Sequence, residues 1–398
     1  MIRTNRIGTA TSVQKRGVIS VFCPQDISCA RVDRYACGST AVGDERRRNP
    51  GTRRALVETA LDTAGLVGYR YRVPDYYEVG REKIREYARA VQDHHPAHWS
   101  EDAAWALGHS ELVAPTTFVS IAAMLANRRL FQEIITGYDV FVQTDQVFEL
   151  HKPLLTGDRL TGDVELSSVR TIAGKDLLTV TNTFTDQSGD VVHIMHTTVV
   201  GVAGEEVDVG IGAAIERVLM HGLERSPSTS ATLDGVDGHP VPDGGLRLST
   251  VSRTRAPRTT LRFEDVAAGD ELAPRTVRLT RGDLVNYAGV SGDANPIHWH
   301  DDIAALAGLP DVIAHGMLTM GLGAGFVTEW LGDPGAIIRY KVRLSNYTVV
   351  QSGSTGSLEF TGRIKSVDPA TRSAVVVIVA KSAGRKIFGL ATADVRLS

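Results

Sequence analysis

From about residue 55 onward, apolar and polar positions follow two periodicities in an order that occurs twice. Residues 82–91 place Ile84, Tyr87, Ala88 and Val91 at helical spacing, which predicts a helix with one apolar face. A short, acidic, Ala-rich helical stretch follows at 101–107, then a break at Gly108 and a longer apolar helix over 116–131. Four runs of strand-like alternation come next, at 143–150, 158–169, 177–186 and 191–202. The second occurrence has a helical stretch at 301–306, Gly308, an apolar helix over 316–331, and alternating runs at 336–344, 357–366, 374–381 and 386–396. An offset of 200 positions lays Tyr87 on Tyr287, Asp93 on Asp293, Pro96 on Pro296, His98 on His298, Trp99 on Trp299, Asp102 on Asp302 and Ala114 on Ala314. The chain therefore holds an internal duplication, which decides the architecture before any single motif does. A long apolar helix followed by antiparallel strands predicts an α+β unit, a sheet wrapped around one buried helix, made twice.

The two units take residues 55–202 and 259–398. Between them, 203–258 carries Asp-Gly, Gly-His-Pro and Ser-Pro-Ser punctuation with little apolar patterning, apart from a short helix over 211–223. A pseudo-dimer made within one chain needs such a crossover, expected to be extended or partly disordered. Residues 1–54 are rich in arginine, with Arg46, Arg47 and Arg48 in a row, and sustain neither periodicity. They read as a disordered extension, with a basic tether or an over-long translation start as alternatives; the apolar stretch 18–22 is too short for a signal-peptide core.

Composition narrows the function classes. With 398 residues, 42% of them hydrophobic and 22% charged, the chain fits an ordinary globular protein of two or three domains. Its apolar runs fall short of the roughly 18 to 20 residues of a membrane span. A net charge of -3 leaves no footprint for nucleic acid. Cys23, Cys29 and Cys37 match neither a CxxC metal pair nor a disulfide framework, so they are read as incidental and a reducing cytoplasm is expected. No ATP, nicotinamide or metal motif is evident, and no cofactor is expected.

The candidate chemistry lies in 287–304, YAGVSGDANPIHWHDDIA. Gly292 and Asn295-Pro296 favour a turn, because glycine tolerates positive φ and the residue before proline is pushed out of the α region. Asp293 and His298 can then point the same way from one rigid turn, as general acid-base chemistry requires. An isolated Asp and His near such a turn would more often be a capped loop. Here the run resembles the signature of MaoC-like (R)-specific hydratases and dehydratases, through Tyr287, Gly292, Asp293, Asn295, Pro296, Ile297, His298 and Ala304, with Ala314-His315-Gly316 at the head of an apolar helix.

That resemblance implies a double hot-dog fold and a hydro-lyase. In such an enzyme Asp293 and His298 remove a proton at C2 of a 3-hydroxyacyl thioester and protonate the departing C3 hydroxyl. Backbone N–H groups at His315, Gly316 and Met317 stabilise charge on the thioester oxygen, Gly316 allows close approach, and Asn295 orients the loop or ligand. The side chains of His300 and His315 are read as surface or loop histidines. The first unit keeps Asp93, Pro96 and His98 but has Gln92 for the glycine, His95 for the asparagine, Ala97 for the aliphatic residue and Pro115-Thr116 for His-Gly. Proline brings no N–H, so this half is read as a degenerate module that shapes the acyl tunnel, with a second working site at Asp93 and His98 as the alternative. Arg339, Lys341 and Arg343 share one face of a strand, either a solvated face or a docking patch for an acidic carrier protein or the phosphates of coenzyme A.

Stretches beyond the motif resemble the two subunits of actinobacterial (3R)-hydroxyacyl-ACP dehydratases: VPDYYEVGREKIREYA and APTTF the non-catalytic one, LVNYAGVSGDANPIHW, IAHGMLTMG and KIFGLATA the catalytic one. The implied role is dehydration in type II fatty acid elongation, toward long, mycolic-type lipids, with the substrate on acyl carrier protein or coenzyme A. An intrachain pseudo-dimer is expected, and a further homodimer is compatible with it. The rivals are an (R)-specific enoyl-CoA hydratase, a hot-dog thioesterase and a non-catalytic acyl-binding scaffold. Residues 344–356 depart from the pattern by lacking the turn that the first unit has between Pro153 and Asp158.

Overall fold

The computed structural model describes residues 19–20, 63–138, 140–202, 211–219 and 246–398. The three cysteines, the arginine cluster and most of the connector lie outside the described residues. The first unit runs β1 (Arg70–Arg72), α1 (Arg81–Ala90), α2 (Glu101–Ala106), α3 (Ser120–Arg129), β2 (Val140–Leu150), β3 (Arg159–Ile172), β4 (Lys175–Thr185) and β5 (Asp190–Val202). Within the connector lies α4 (Ile211–Val218). The second unit repeats the order: β6 (Glu271–Leu279), α5 (Arg281–Ser291), α6 (Asp301–Leu306), α7 (Gly316–Leu331), β7 (Ile337–Leu344), β8 (Gly356–Asp368), β9 (Ser373–Ser382) and β10 (Phe388–Arg396).

The result is a double hot-dog, with one difference from the expectation of two separate sheets. They join edge to edge into one antiparallel sheet of order β1-β3-β4-β5-β2-β7-β10-β9-β8-β6. The seam pairs β2 with β7, from Glu149 opposite Arg339 to Asp145 opposite Arg343, and covers edges that would otherwise be open to pairing. On its inner side the Phe148 and Tyr340 rings stack at 6.1 Å. On its outer side Arg343 meets Asp145 at 2.8 Å and Arg339 lies 3.8 Å from Glu149. Two of the three cations considered for docking are therefore answered by acids of the first unit, which weakens the docking reading.

Twelve of the sixteen residues of α7 are buried, so this helix is apolar all round and sits in the core. Its span is the predicted one, ended by Gly332 at φ 74°. The partner helix is not: α3 begins at Ser120 instead of residue 116. Pro115 opens a tight turn in which Phe118 N–H donates to Pro115, Ser120 to Thr117 and Ile121 to Phe118, each bond spanning three residues. At its other end α3 runs into a π-helical turn, Leu130–Ile134.

This asymmetry hollows one core and fills the other. Under α7, Phe326 stacks on Phe360 at 5.9 Å, Phe388 packs against Phe360, and the Tyr340 hydroxyl donates to the Met320 carbonyl at 3.0 Å. A Cβ at position 323 would lie 2.7 Å from that hydroxyl, so only glycine permits this approach. The units are clamped elsewhere by Asp333, which is fully buried. It accepts bonds from the Arg255 guanidinium at 2.8 Å and the Arg258 N–H at 2.9 Å, with His109 at 3.5 Å. Burial opposes its ionisation, but these partners hold its carboxyl down to about 2. Residues 344–356 keep the first unit's pairing despite their different sequence: Ala314 N–H donates to Thr348 as Ala114 N–H does to Leu154, both at 2.8 Å.

Candidate active site

Helix α5 stops at Gly292, whose φ of 78° turns the chain off the helix axis. Asp293 follows, its Oδ1 accepting from the Asn295 N–H at 3.3 Å, while Asn295 Oδ1 accepts from the Ile297 N–H at 3.2 Å. A short turn, Pro296–His298, then delivers His298 into the interior, where it is 4% exposed. Its Nδ1–H donates to the Ile313 carbonyl at 2.8 Å, which fixes the tautomer and leaves the lone pair on Nε2. Burial pushes this imidazole below the ordinary histidine value, only partly offset by the Asp293 charge and the Ile313 carbonyl. At neutral pH it is a neutral base.

His315 is fully buried, not the surface or loop histidine expected. Its ring stacks on that of His298 at 3.7 Å and 27°, and its Nε2–H donates to the Asp293 carbonyl at 3.2 Å. Burial and the neighbouring His298 drive it well below the usual range. Donor atoms of Asp293, His298 and His315 lie within 4.8 Å of one another. The near-parallel rings carry their lone pairs side by side in their own planes, a poor fit to convergence on one ion. Immediately after His315, α7 begins with no side chain capping it. Its first N–H groups are thus available to an acceptor, with the helix dipole behind them.

Asp293, Asn295, Tyr287 and Met317 line one cavity of about 230 Å³. The cavity runs into the hollow core of the first unit, between α3 and the sheet, along Met124, Phe131, Phe141, Met195 and Val199. Ile215 and Leu219 wall it as well, so part of the segment predicted as a crossover lines the cavity. None of these wall residues was singled out in the sequence, because inward positions of a strand read alike whether they face packing or a ligand. Gln143, Gln146 and Thr197 form a polar patch on the wall: Gln146 Oε1 accepts from both of the others at 2.8 Å.

The first unit's pair is closed. Asp93 and His98 are 4% and 0% exposed and form an ion pair at 3.3 Å, with His98 Nδ1–H donating to the Val113 carbonyl at 2.6 Å. Helix α7 packs over them, a Cβ at Gly325 being placed in van der Waals contact with the Asp93 carboxylate at 3.4 Å. Burial is the largest influence and would raise Asp93, but the His98 charge, its hydrogen bond and the His95 N–H together outweigh it and lower the carboxyl. For His98 burial is again the largest influence and would lower the imidazole, but the Asp93 charge and hydrogen bond together with the Val113 carbonyl outweigh it and raise it. A lowered acid adds stability that is lost as pH falls through its folded value; a raised histidine adds stability that is lost as pH rises through its own. The pair thus stabilises most between about pH 4 and 6.5. Asp93→Asn is expected to cost about 3 kcal/mol in denaturant unfolding near pH 5, with a smaller cost at pH 9 and unchanged activity per folded molecule. A loss of activity without a loss of stability would restore the second-site reading.

Two family descriptions match the chain: "FAS1-like, dehydratase domain region" over residues 65–195 and "MaoC like domain" over residues 264–380. A solved structure named a MaoC-like dehydratase is 54% identical, covers 84% of this chain and 99% of its own, and superposes with a TM-score of 0.78. A UPF0336 protein of Mycolicibacterium paratuberculosis is 43% identical over 150 residues, 37% of this chain and 94% of that protein. A conserved hypothetical protein of Mycobacterium tuberculosis with a double hotdog fold is 15% identical, covers 83% of this chain and 96% of its own, and has a TM-score of 0.54, a likeness of fold.

Proposed function

Because the chain belongs to the MaoC-like dehydratase family, and with it to the hydro-lyases, we propose that it dehydrates (3R)-hydroxyacyl thioesters carried on an acyl carrier protein in fatty acid elongation. The working site is in the second module, residues 259–398, and the first, 55–202, houses the acyl chain. The observation that supports this most is Asp293 lining the end of a largely apolar cavity, with the buried His298 within 4.8 Å of it and an uncapped helix start beside them.

The residues divide the work as follows. His298 Nε2 takes the C2 proton. The negative charge that builds on the thioester oxygen is met by N–H groups of Gly316 and Met317. The imidazolium returns the proton to the C3 hydroxyl, the C3–O bond breaks, and water leaves from a place held by Asp293 and Asn295. The sequence runs in reverse as hydration, with atoms and charge balanced by this one proton. Apolar walls hold the chain so that C2 and C3 stay in register with the base.

The test is hydration of one trans-2-enoyl chain, on carrier protein and on coenzyme A, followed by loss of conjugated absorbance. A higher kcat/KM on the carrier is expected. Preference for coenzyme A would move the protein to the (R)-specific enoyl-CoA hydratases, thiol release to the thioesterases, and inertness toward both substrates to acyl-binding scaffolds.

A further inference from the structure

We infer that His315 is a positioning residue that keeps the catalytic pair apart, its ring anchoring His298 and its Nε2–H anchoring the turn of Asp293, so that both groups face the substrate instead of each other. The inference rests on the function proposed above for the site, and goes beyond it.

The duplication supplies an internal control. Both units set Asp, Pro, His and Trp at one spacing, and both fix the histidine by an Nδ1 bond to the carbonyl fifteen residues on. They part within the turn, at Gln92 and Gly292, His95 and Asn295, and Ala97 and Ile297, and at the head of the segment that leads into the central helix, Pro115 in one and His315 in the other. With proline there, no aromatic ring stacks on His98 from that position; the His95 ring meets it edge-on at 5.7 Å, and Asp93 closes on His98 to 3.3 Å. With histidine there, Asp293 and His298 form no ion pair. The hydrogen bonds around the aspartate move accordingly. In the first unit the Asp93 carbonyl takes the Trp99 indole N–H at 3.3 Å. In the second, His315 takes the Asp293 carbonyl, and the Trp299 indole donates to Ala294 at 3.1 Å instead.

His315 is itself held: Tyr287 lies 4.9 Å away, ring to ring, and His298 packs against it. Its Nδ1 is buried without a hydrogen-bond partner. That is a cost to folding, of the kind found where a residue serves the site more than the stability of the chain. The advantage is chemical. A buried carboxylate in contact with His298 would favour the imidazolium and occupy Nε2, leaving no base for the C2 proton. The groups facing His298 are Asp293 and His315, with Tyr287 behind, so no other charge would oppose that closure.

The experiment compares full-length His315→Ala and His315→Phe with wild type, by hydration rate against pH and by imidazole NMR titration of His298. His315→Ala is expected to lose about a hundredfold in kcat and to raise the His298 titration by about one unit or more. His315→Phe keeps a ring against His298 and should recover kcat to within about tenfold, with His298 titrating as in wild type. A large kcat loss in His315→Ala with His298 unmoved would overturn the inference, as would a phenylalanine variant no better than alanine. If His315→Ala does not fold, His315→Phe decides: a raised His298 titration there refutes the spacer. The titration needs no substrate, so a raised value in His315→Ala without any hydration in wild type would sink the enzymatic reading and leave the spacer standing.

Discussion

His298→Ala lowers enoyl-thioester hydration by on the order of a hundredfold to ten-thousandfold, the range a positioned general base contributes. His298 offers the neutral Nε2 lone pair, held by the Ile313 carbonyl at 2.8 Å on the far side of its ring. Asp293→Asn keeps the shape and removes the charge that holds the departing water, so a loss of similar order is expected. Pairing these with Asp93→Asn and His98→Ala turns the duplication into a measurement, since equivalent substitutions should affect rate in one unit and stability in the other. The pH profile gives a second readout. Burial lowers His298, so the acid limb of kcat/KM should fall below the ordinary histidine value of about 6.5. An acid limb above that value, or equal rate losses from both pairs, would defeat the single-site assignment.

The repeat was legible because it rests on spacing. Seven residues in register at one offset require two copies of one unit, and the run of apolar positions over 316–331 could only be a core helix. The turn that carries Asp293 and His298 was legible for the same reason, since Gly292 and Asn295-Pro296 dictate it whatever surrounds it. What was not legible depends on which of two similar helices fits closely to its sheet. Gly323 lets α7 fit against Tyr340, whereas α3 stands off and leaves the cavity. Nothing in the alternation of Phe141, Met195 or Val199 distinguishes a filled core from a hollow one. His315 was misread because a lone histidine in a sequence carries no sign of burial. The seam was missed because strand order between duplicated sheets is a matter of edges, which periodicity does not report.

Gly316→Pro is expected to cost about a hundredfold to a thousandfold in kcat, the loss seen when one oxyanion donor is removed. The substitution suits this place in the fold. Position 316 is the first residue of α7, where proline's missing N–H breaks no helical bond and its fixed φ matches the helix. His315 before it already lies at φ −55° and ψ 135°, the extended conformation that a following proline demands. The helix and the stacked histidines should therefore survive, leaving the lost N–H as the main change at the site. Gly316→Ala separates that loss from crowding, since it adds one carbon to the approach and keeps the donor. If alanine costs as much as proline, the glycine serves access and the charge is met elsewhere. If proline keeps most of the rate while circular dichroism and the His298 titration are unchanged, the thioester oxygen does not sit at the start of α7, and the catalytic geometry must be redrawn around the polar wall of Gln143, Gln146 and Thr197.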